Sequence, residues 1–225
     1  MLHGLARGPR SLRRMALALQ AAGFDVQKLS YPCRRLPLAE LVDLVRATLA
    51  ARRPAPGGEP LAHGVGHSLG GVVLRAVLDD PPSPWRPGRL VSIAAPHRGA
   101  RVVSPLLRNS AARRFFGPVL ADLAWDSPAL RALPRQTGAL EIGAIAGRGR
   151  FRPLVPAAWV NARLGLIATT DGTVERESAC GAPWLPPFQD CIDVDCGHTF
   201  IAARAETIRQ TLAFLARGSF EHGPR

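Results

Sequence analysis

The stretch that most constrains this chain runs from Leu61 to Leu78. An apolar run, Leu61 to Val65, leads into Gly66-His67-Ser68-Leu69-Gly70-Gly71 and then into a helix-like run that ends at Leu78. A strand that turns sharply into a helix forces the residue at the turn into a strained backbone conformation. Glycines two positions before and two after let strand and helix approach without Cβ clashes. The serine hydroxyl is then held clear of the backbone, at the carboxyl end of a strand and the N-terminus of a helix, where an anion is favoured. Such a hydroxyl is suited to attack a carbonyl, which makes Ser68 the candidate nucleophile. A bare Gly-X-Ser-X-Gly arises readily in a chain with 22 glycines, so the strand-turn-helix setting carries the argument.

The alternation continues on both sides of this turn. Spacing predicts a helix from Ser11 to Ala22, with Leu12, Met15, Leu19 and Ala22 on one face and Gly23 as its stop. A strand follows from Phe24 to Tyr31, ended by Pro32, and then a helix from Leu38 to Ala51. After a Pro/Gly loop at 53–60 come the Ser68 strand and helix, a Pro-rich loop from Asp79 to Gly88, and a strand from Arg89 to Ala95 closed by Pro96. The rhythm breaks from His97 to Gly138 into one or two helical segments. A strand from Leu140 to Ala146, a long loop from Gly147 to Thr170, a short strand from Cys191 to Asp195 and a closing helix from Thr199 to Ala216 complete the chain. Strands alternating with helices give an α/β fold: a mostly parallel central sheet with helices on both faces, one domain over 1–225, and a small helical insertion at 97–138. Ligands of such sheets bind at the carboxyl ends of the strands. The turns at His3-Gly4-Leu5, Ser68 and Pro96-His97 all fall on that edge.

The net charge of +12 raises the question of an anionic partner. Lys28 is the single lysine, and the arginines are scattered in pairs such as Arg13-Arg14, Arg34-Arg35, Arg52-Arg53 and Arg113-Arg114. That pattern reflects base composition rather than a nucleic-acid surface, so no nucleic-acid partner is expected. A weak attraction to anionic membrane surfaces is compatible with the charge. No run approaches the roughly 18 apolar residues of a membrane span. No signal peptide is visible, and the cytoplasm is the expected compartment. Cys33, Cys180, Cys191 and Cys196 fit no tight zinc spacing. One disulfide among the last three and a set of reduced thiols are both open readings. Asp190, Asp193 and Asp195 match no calcium-loop pattern, and neither a metal nor a cofactor is expected.

A serine hydroxyl needs a base, and the base needs an orienting carboxylate. Asp171 lies in a turn beyond the 140–146 strand, and His198 follows the last strand, so both would project from the same sheet edge as Ser68. Asp193 and Asp195 sit too close to His198 along one strand to aim at its ring; Glu175 and Glu177 are nearby alternatives. Among the other histidines, His3, His63 and His67 precede the serine, His97 precedes every candidate acid, and His222 is in the tail. His67, inside the turn, points away from its neighbour's hydroxyl.

Together, His3-Gly4-Leu5, Gly66-His67-Ser68-Leu69-Gly70-Gly71, Ala95-Pro96-His97-Arg98-Gly99, Asp171-Gly172-Thr173-Val174 and Gly197-His198-Thr199-Phe200 carry a resemblance from Leu2 to Ala216. The chain resembles the compact lipase/esterase branch of the α/β-hydrolase fold, the bacterial triacylglycerol-lipase-like group, and is similar to the catalytic core of GPI inositol deacylases. The resemblance implies the chain order Ser, Asp, His. Ser68 would be the nucleophile, His198 the general base and then acid, and Asp171 its orienter. It also implies an oxyanion hole made by the backbone amides of Leu5 and Leu69. In that group His-Gly ends a strand several residues long, whereas only Met1-Leu2 precede it here. The expected reading is a start placed too far downstream, with a signal or anchor upstream left open. The implied activity is hydrolysis of a small or lipid carboxylic ester of modest acyl length through an acyl-enzyme. Apolar residues between Phe115 and Leu133 form either a small cap edged by Phe115 and Phe116, which would accept an acyl chain, or ordinary core packing. Thioester or lipid-amide hydrolysis on the same residues, and a catalytically idle hydrolase-like scaffold, are the alternatives.

Overall fold

The structure, a computed structural model, describes residues 1–52, 61–78, 86–134, 140–149 and 170–223. The loop expected at 53–60, and most of those expected at 79–88 and 147–170, lie outside them. Four parallel strands form the sheet of the described residues: β1 (Leu61–His67), β2 (Arg86–Ile93), β3 (Glu141–Gly147) and β4 (Asp190–Val194), in that spatial order. One row of partners, His67, Ile93, Ile145 and Ile192, crosses the whole sheet near its carboxyl edge. β1 and the helix α3 that leaves it (Leu69–Leu78) coincide with the sequence expectation.

Residues along β2 alternate between two cores, which is why its sequence reads as a continuous apolar run. Leu90 joins the core under α2 (Leu38–Ala50) and α3, while Val91 and Ile93 join the core under α1 (Arg13–Ala21). The C-terminal helix packs on that second core through Phe214 and Leu215. No helix of the described residues is long and apolar enough to cross a membrane.

Met1 to His3 continue the sheet beyond β1. Leu2 bridges both Gly66 and Leu29; its amide donates to Val65 O at 3.0 Å, and its carbonyl accepts from the His67 amide at 3.1 Å. One departure from expectation lies beside it: the strand expected from Phe24 to Tyr31 is reduced to the single bridge at Leu29. The expected helix from Ser11 opens as a 3-10 turn, Pro9–Leu12, before α1 begins; Ala22 is exposed at its end.

The 97–138 insertion contains, among the described residues, four short helices: α4 (Val103–Leu107), α5 (Ser110–Phe116), α6 (Val119–Asp122) and α7 (Pro128–Ala132). The side chains of Asn109 and Ser127 cap α5 and α7, and Gly117 ends α5 with φ +77°. Such caps and stops divide what periodicity alone reads as longer segments. After β3 a four-residue helix, α8 (Arg176–Ala179), precedes β4. The closing helix is split: a 3-10 turn at Ile201–Ala203, an extended Arg204, then α9 (Ala205–Arg217).

Candidate active site

Ser68 has φ +55°, in the left-handed region that a non-glycine residue adopts at a cost. Its surroundings hold it there. The Ser68 amide donates to Ile93 O at 2.9 Å, and Ser68 O accepts from Gly71 N at 2.9 Å. Two glycines make the turn sterically feasible. A Cβ on Gly66 would lie 2.5 Å from the Gly71 backbone, and one on Gly70 would lie 2.5 Å from Leu2 O. The residue is 7% exposed, its hydroxyl set at the base of the site rather than on the surface.

His198 and Asp171 meet this hydroxyl. Nε2 of His198 is 3.0 Å from Ser68 Oγ, and its Nδ1 is 2.7 Å from Asp171 Oδ2. Because an ionised carboxylate only accepts, Nδ1–H donates to it, and Nε2 is free to accept the serine proton. Backbone contacts fix the pair as well: the His198 amide donates to Asp171 O at 3.0 Å. The second carboxylate oxygen, Oδ1, accepts the amides of Thr173 at 2.9 Å and Val174 at 2.8 Å. The Asp171 side chain is 1% exposed, so it is buried with both oxygens satisfied.

Three of the four alternative acids are engaged elsewhere. Asp193 binds Arg148 at 2.6 Å and Arg176 at 2.8 Å, Glu177 pairs with Arg98, and Glu175 is buried beside the Arg101 amide. Among the alternative bases, His97 is buried with Nε2 2.8 Å from Ser92 Oγ, and Nδ1 of His63 accepts from the Arg89 amide at 3.0 Å. Nδ1 of His3 donates to Gly4 O at 3.0 Å. His222 contacts Asp190.

The amides of Leu69, at the first turn of α3, and Leu5, in the loop after Leu2, have no hydrogen-bond acceptor among the described residues. Leu5 lies in a turn closed by Arg7 N to Gly4 O at 3.2 Å. That turn is anchored from behind by Tyr31, whose hydroxyl donates to His3 O at 2.7 Å. A Cβ on Gly4 would come within 2.9 Å of Ser68 Cβ, so this backbone passes directly over the nucleophile. A second anchor is His67, whose Nε2–H donates to His198 O at 3.0 Å. Burial, then the neighbouring His198, holds the His67 pKa well below its ordinary value, so the ring stays neutral.

Phe115 and Phe116 end α5. Phe115 is 54% exposed, Phe116 packs on the core, and their rings meet edge to face at 4.9 Å, with the Arg34 guanidinium 4.9 Å above Phe115. Of the other apolar residues in that stretch, Val119, Leu120, Leu123, Leu130 and Leu133 are buried in the core. Among the described residues no group of three or more His, Cys, Asp or Glu could hold a metal ion. Cys180, at the end of α8, and Cys191, in β4, form a disulfide, while Cys33 and Cys196 are free thiols. Sequence alone did not single out that pair, nor the anchoring roles of Tyr31 and His67. All three depend on contacts between residues far apart in the chain.

The profile of the alpha/beta hydrolase family matches residues 1–210. No curated protein sequence matches the chain. Among solved structures it is similar to the Bacillus licheniformis lipase BlEst2 in mature form, at 15% identity and a TM-score of 0.74, covering 96% of this chain and 89% of that one. It is also similar to phospholipase PlaB from Legionella pneumophila, at 17% identity and a TM-score of 0.59, over 79% of this chain and 44% of that one. A metagenomic carboxyl esterase, MGS0156, matches at 18% identity and a TM-score of 0.56, over 74% of this chain and 52% of that one. At these identities the likeness is one of fold.

Proposed function

The chain belongs to the alpha/beta hydrolase family, and from that premise we propose that it hydrolyses carboxylic esters through an acyl-enzyme formed on Ser68. The observation that carries this reading is the single imidazole of His198, 3.0 Å from the Ser68 hydroxyl on one side and 2.7 Å from a buried carboxylate on the other.

The chemistry follows from those positions. Ser68 Oγ attacks the ester carbonyl carbon while its proton passes to His198 Nε2. Asp171 stabilises the imidazolium through Nδ1–H and remains ionised. Negative charge develops on the carbonyl oxygen, where the Leu5 and Leu69 amides would each contribute roughly 3 kcal/mol, as measured for comparable donors. Collapse breaks the bond to the leaving alcohol, which takes the proton from Nε2. Water then adds to the acyl-enzyme, with His198 accepting its proton and returning it to Ser68, and the carboxylic acid leaves.

Rates with p-nitrophenyl esters of graded chain length test the reading. Hydrolysis that peaks at short to medium acyl length and is abolished in Ser68→Ala is expected. Wild-type rates in Ser68→Ala would overturn it. A thioester series run alongside establishes which leaving group the site favours.

A further inference from the structure

Four of the arginines that look scattered in the sequence are gathered in one place. Arg7, Arg34, Arg35 and Arg114 come from three separate segments and line a groove of about 600 Å³ that includes no acidic residue. Some arginines outside the groove are matched to carboxylates, as in Arg89 with Glu141, Arg98 with Asp126, and Arg176 with Asp193. Arg35 and Arg114 have no carboxylate partner among the described residues, and both are exposed. Four like charges lining one concavity give it a positive potential that favours an anion.

The groove backs onto the turn that carries the Leu5 amide. Arg7 closes the same four-residue turn that presents the Leu5 amide, and Ala6 within it has φ +56°. The Arg7 guanidinium donates to Thr199 O at 3.0 Å, one residue beyond His198. The back wall is Tyr31 and Cys33; Tyr31 bonds His3 O, and Cys33 Sγ lies 4.0 Å from Gly4 O. One thickness of backbone therefore separates this wall from Ser68. On the far side the Arg34 guanidinium is steadied by Phe115 O at 3.2 Å and by the Phe115 ring. Planar guanidinium groups with unused N–H donors match the oxygens of a phosphate in paired, charge-assisted hydrogen bonds.

We propose that this groove is a phosphate subsite and that the substrates are acyl esters carrying a phosphate group. The proposal rests on the ester-hydrolase reading and narrows it. It assigns the acyl chain and carbonyl to the Ser68 side and the phosphate to Arg35 and Arg114, with Arg7 between the two. The phosphate could belong to a lipid headgroup in a membrane or to a soluble phosphorylated ester; both offer the same chemistry.

The test has two arms. In the first, glycerol 1-phosphate and vesicles of phosphatidic acid are titrated into Ser68→Ala protein, with and without Arg35→Gln/Arg114→Gln. A charge-matched pair outside the groove, Arg10→Gln/Arg13→Gln, is the control. In the second, KM is compared for monomeric dihexanoyl phosphatidic acid and neutral dihexanoylglycerol. The groove pair is expected to weaken glycerol phosphate binding roughly tenfold or more, with the control pair close to wild type. KM for the phosphate-bearing ester should rise by a similar factor relative to the neutral one. Binding to both the small phosphate and vesicles supports a lipid source; binding to the small phosphate alone supports a soluble one. Equal loss in the control pair, or vesicle binding insensitive to the groove pair, would overturn the proposal in favour of diffuse surface charge. Hydrolysis of both esters with no preference that depends on the groove would overturn it while leaving the hydrolase reading intact. Groove-dependent phosphate binding without hydrolysis of any ester would overturn the hydrolase reading instead, and with it the assignment of the groove to a substrate.

Discussion

The Nε2–H of His67 donates to the main-chain oxygen of His198 at 3.0 Å, so the residue preceding the nucleophile holds the loop that carries the base. His67 is buried and neutral, and its single N–H is committed to that carbonyl. A loop freed from it would let the His198 ring drift from Ser68, and misplacement by about 1 Å can cost on the order of 100-fold in rate. We expect His67→Ala to lower kcat by roughly 10- to 100-fold with little change in KM. His67→Gln retains an N–H donor and should recover part of the loss. Equal loss in both variants, tracked by lowered melting temperature, would reduce His67 to a packing role.

Asp171 divides its carboxylate between two tasks, Oδ1 to the Thr173 and Val174 amides and Oδ2 to the imidazole. Asparagine cannot serve both. With its oxygen toward the amides, its NH2 faces Nδ1 and forces the wrong tautomer on His198. Asp171→Asn should therefore keep the fold and lower kcat by about 10⁴. Steady-state kinetics beside circular dichroism check this, and a loss smaller than tenfold would contradict the role.

Much of this arrangement was legible in the sequence because it is local or ordinal. The Ser68 turn needs small residues at fixed offsets, and the apolar periods of β1, α3 and α2 are strong enough to place them within a residue. Asp171 and His198 followed from position after strands and from order along the chain. What could not be read depends on partners. Residues 24–31 have strand composition, but only Leu29 finds a bridge partner, at Leu2. Asn109 and Ser127 stop and start helices by side-chain capping inside a continuous apolar pattern. The pairing of Cys180 with Cys191 rather than Cys196, and the convergence of Arg7, Arg34, Arg35 and Arg114, exist only once the sheet has assembled.

Gly70 lies where α3 passes Leu2 and His3, and a Cβ there would sit 2.5 Å from Leu2 O and 2.7 Å from His3 O. Both contacts are backbone, so one element must move. Gly70→Ala should destabilise the protein by about 1–3 kcal/mol. It should also lower kcat, because the displaced segment carries Leu5. Urea unfolding and ester kinetics on the same variant check both effects, and unchanged stability would show that the N-terminal segment is not packed as described.

His67 and His97 are 2% and 0% exposed, and burial holds both well below the ordinary histidine value of 6.5. As pH falls through about 6.5 the unfolded chain takes up protons that the folded one does not. Stability should therefore decline below that pH, by up to about 1.4 kcal/mol per pH unit for each histidine. Urea titrations from pH 7.5 to 5 should show the decline, with a shallower slope in His97→Gln. A flat profile would contradict the buried, neutral assignment.

The Cys180–Cys191 disulfide spans 11 residues and joins the end of α8 to β4, the two elements that lie between Asp171 and His198 in the chain. A loop of this size corresponds to about 2–3 kcal/mol of stabilisation in the chain-entropy account. Cys180→Ser/Cys191→Ser, or treatment with a reductant, should lower stability by about that amount. Unfolding that is insensitive to reductant would show that the bond does not support the fold.

Covalent labelling with a fluorophosphonate probe reads directly whether Ser68 is an activated nucleophile. Stoichiometric labelling of the wild-type chain on the peptide containing Ser68, no labelling of Ser68→Ala, and strongly slowed labelling of His198→Gln are expected. A wild-type chain that fails to label, or equal labelling of Ser68→Ala, would contradict that role.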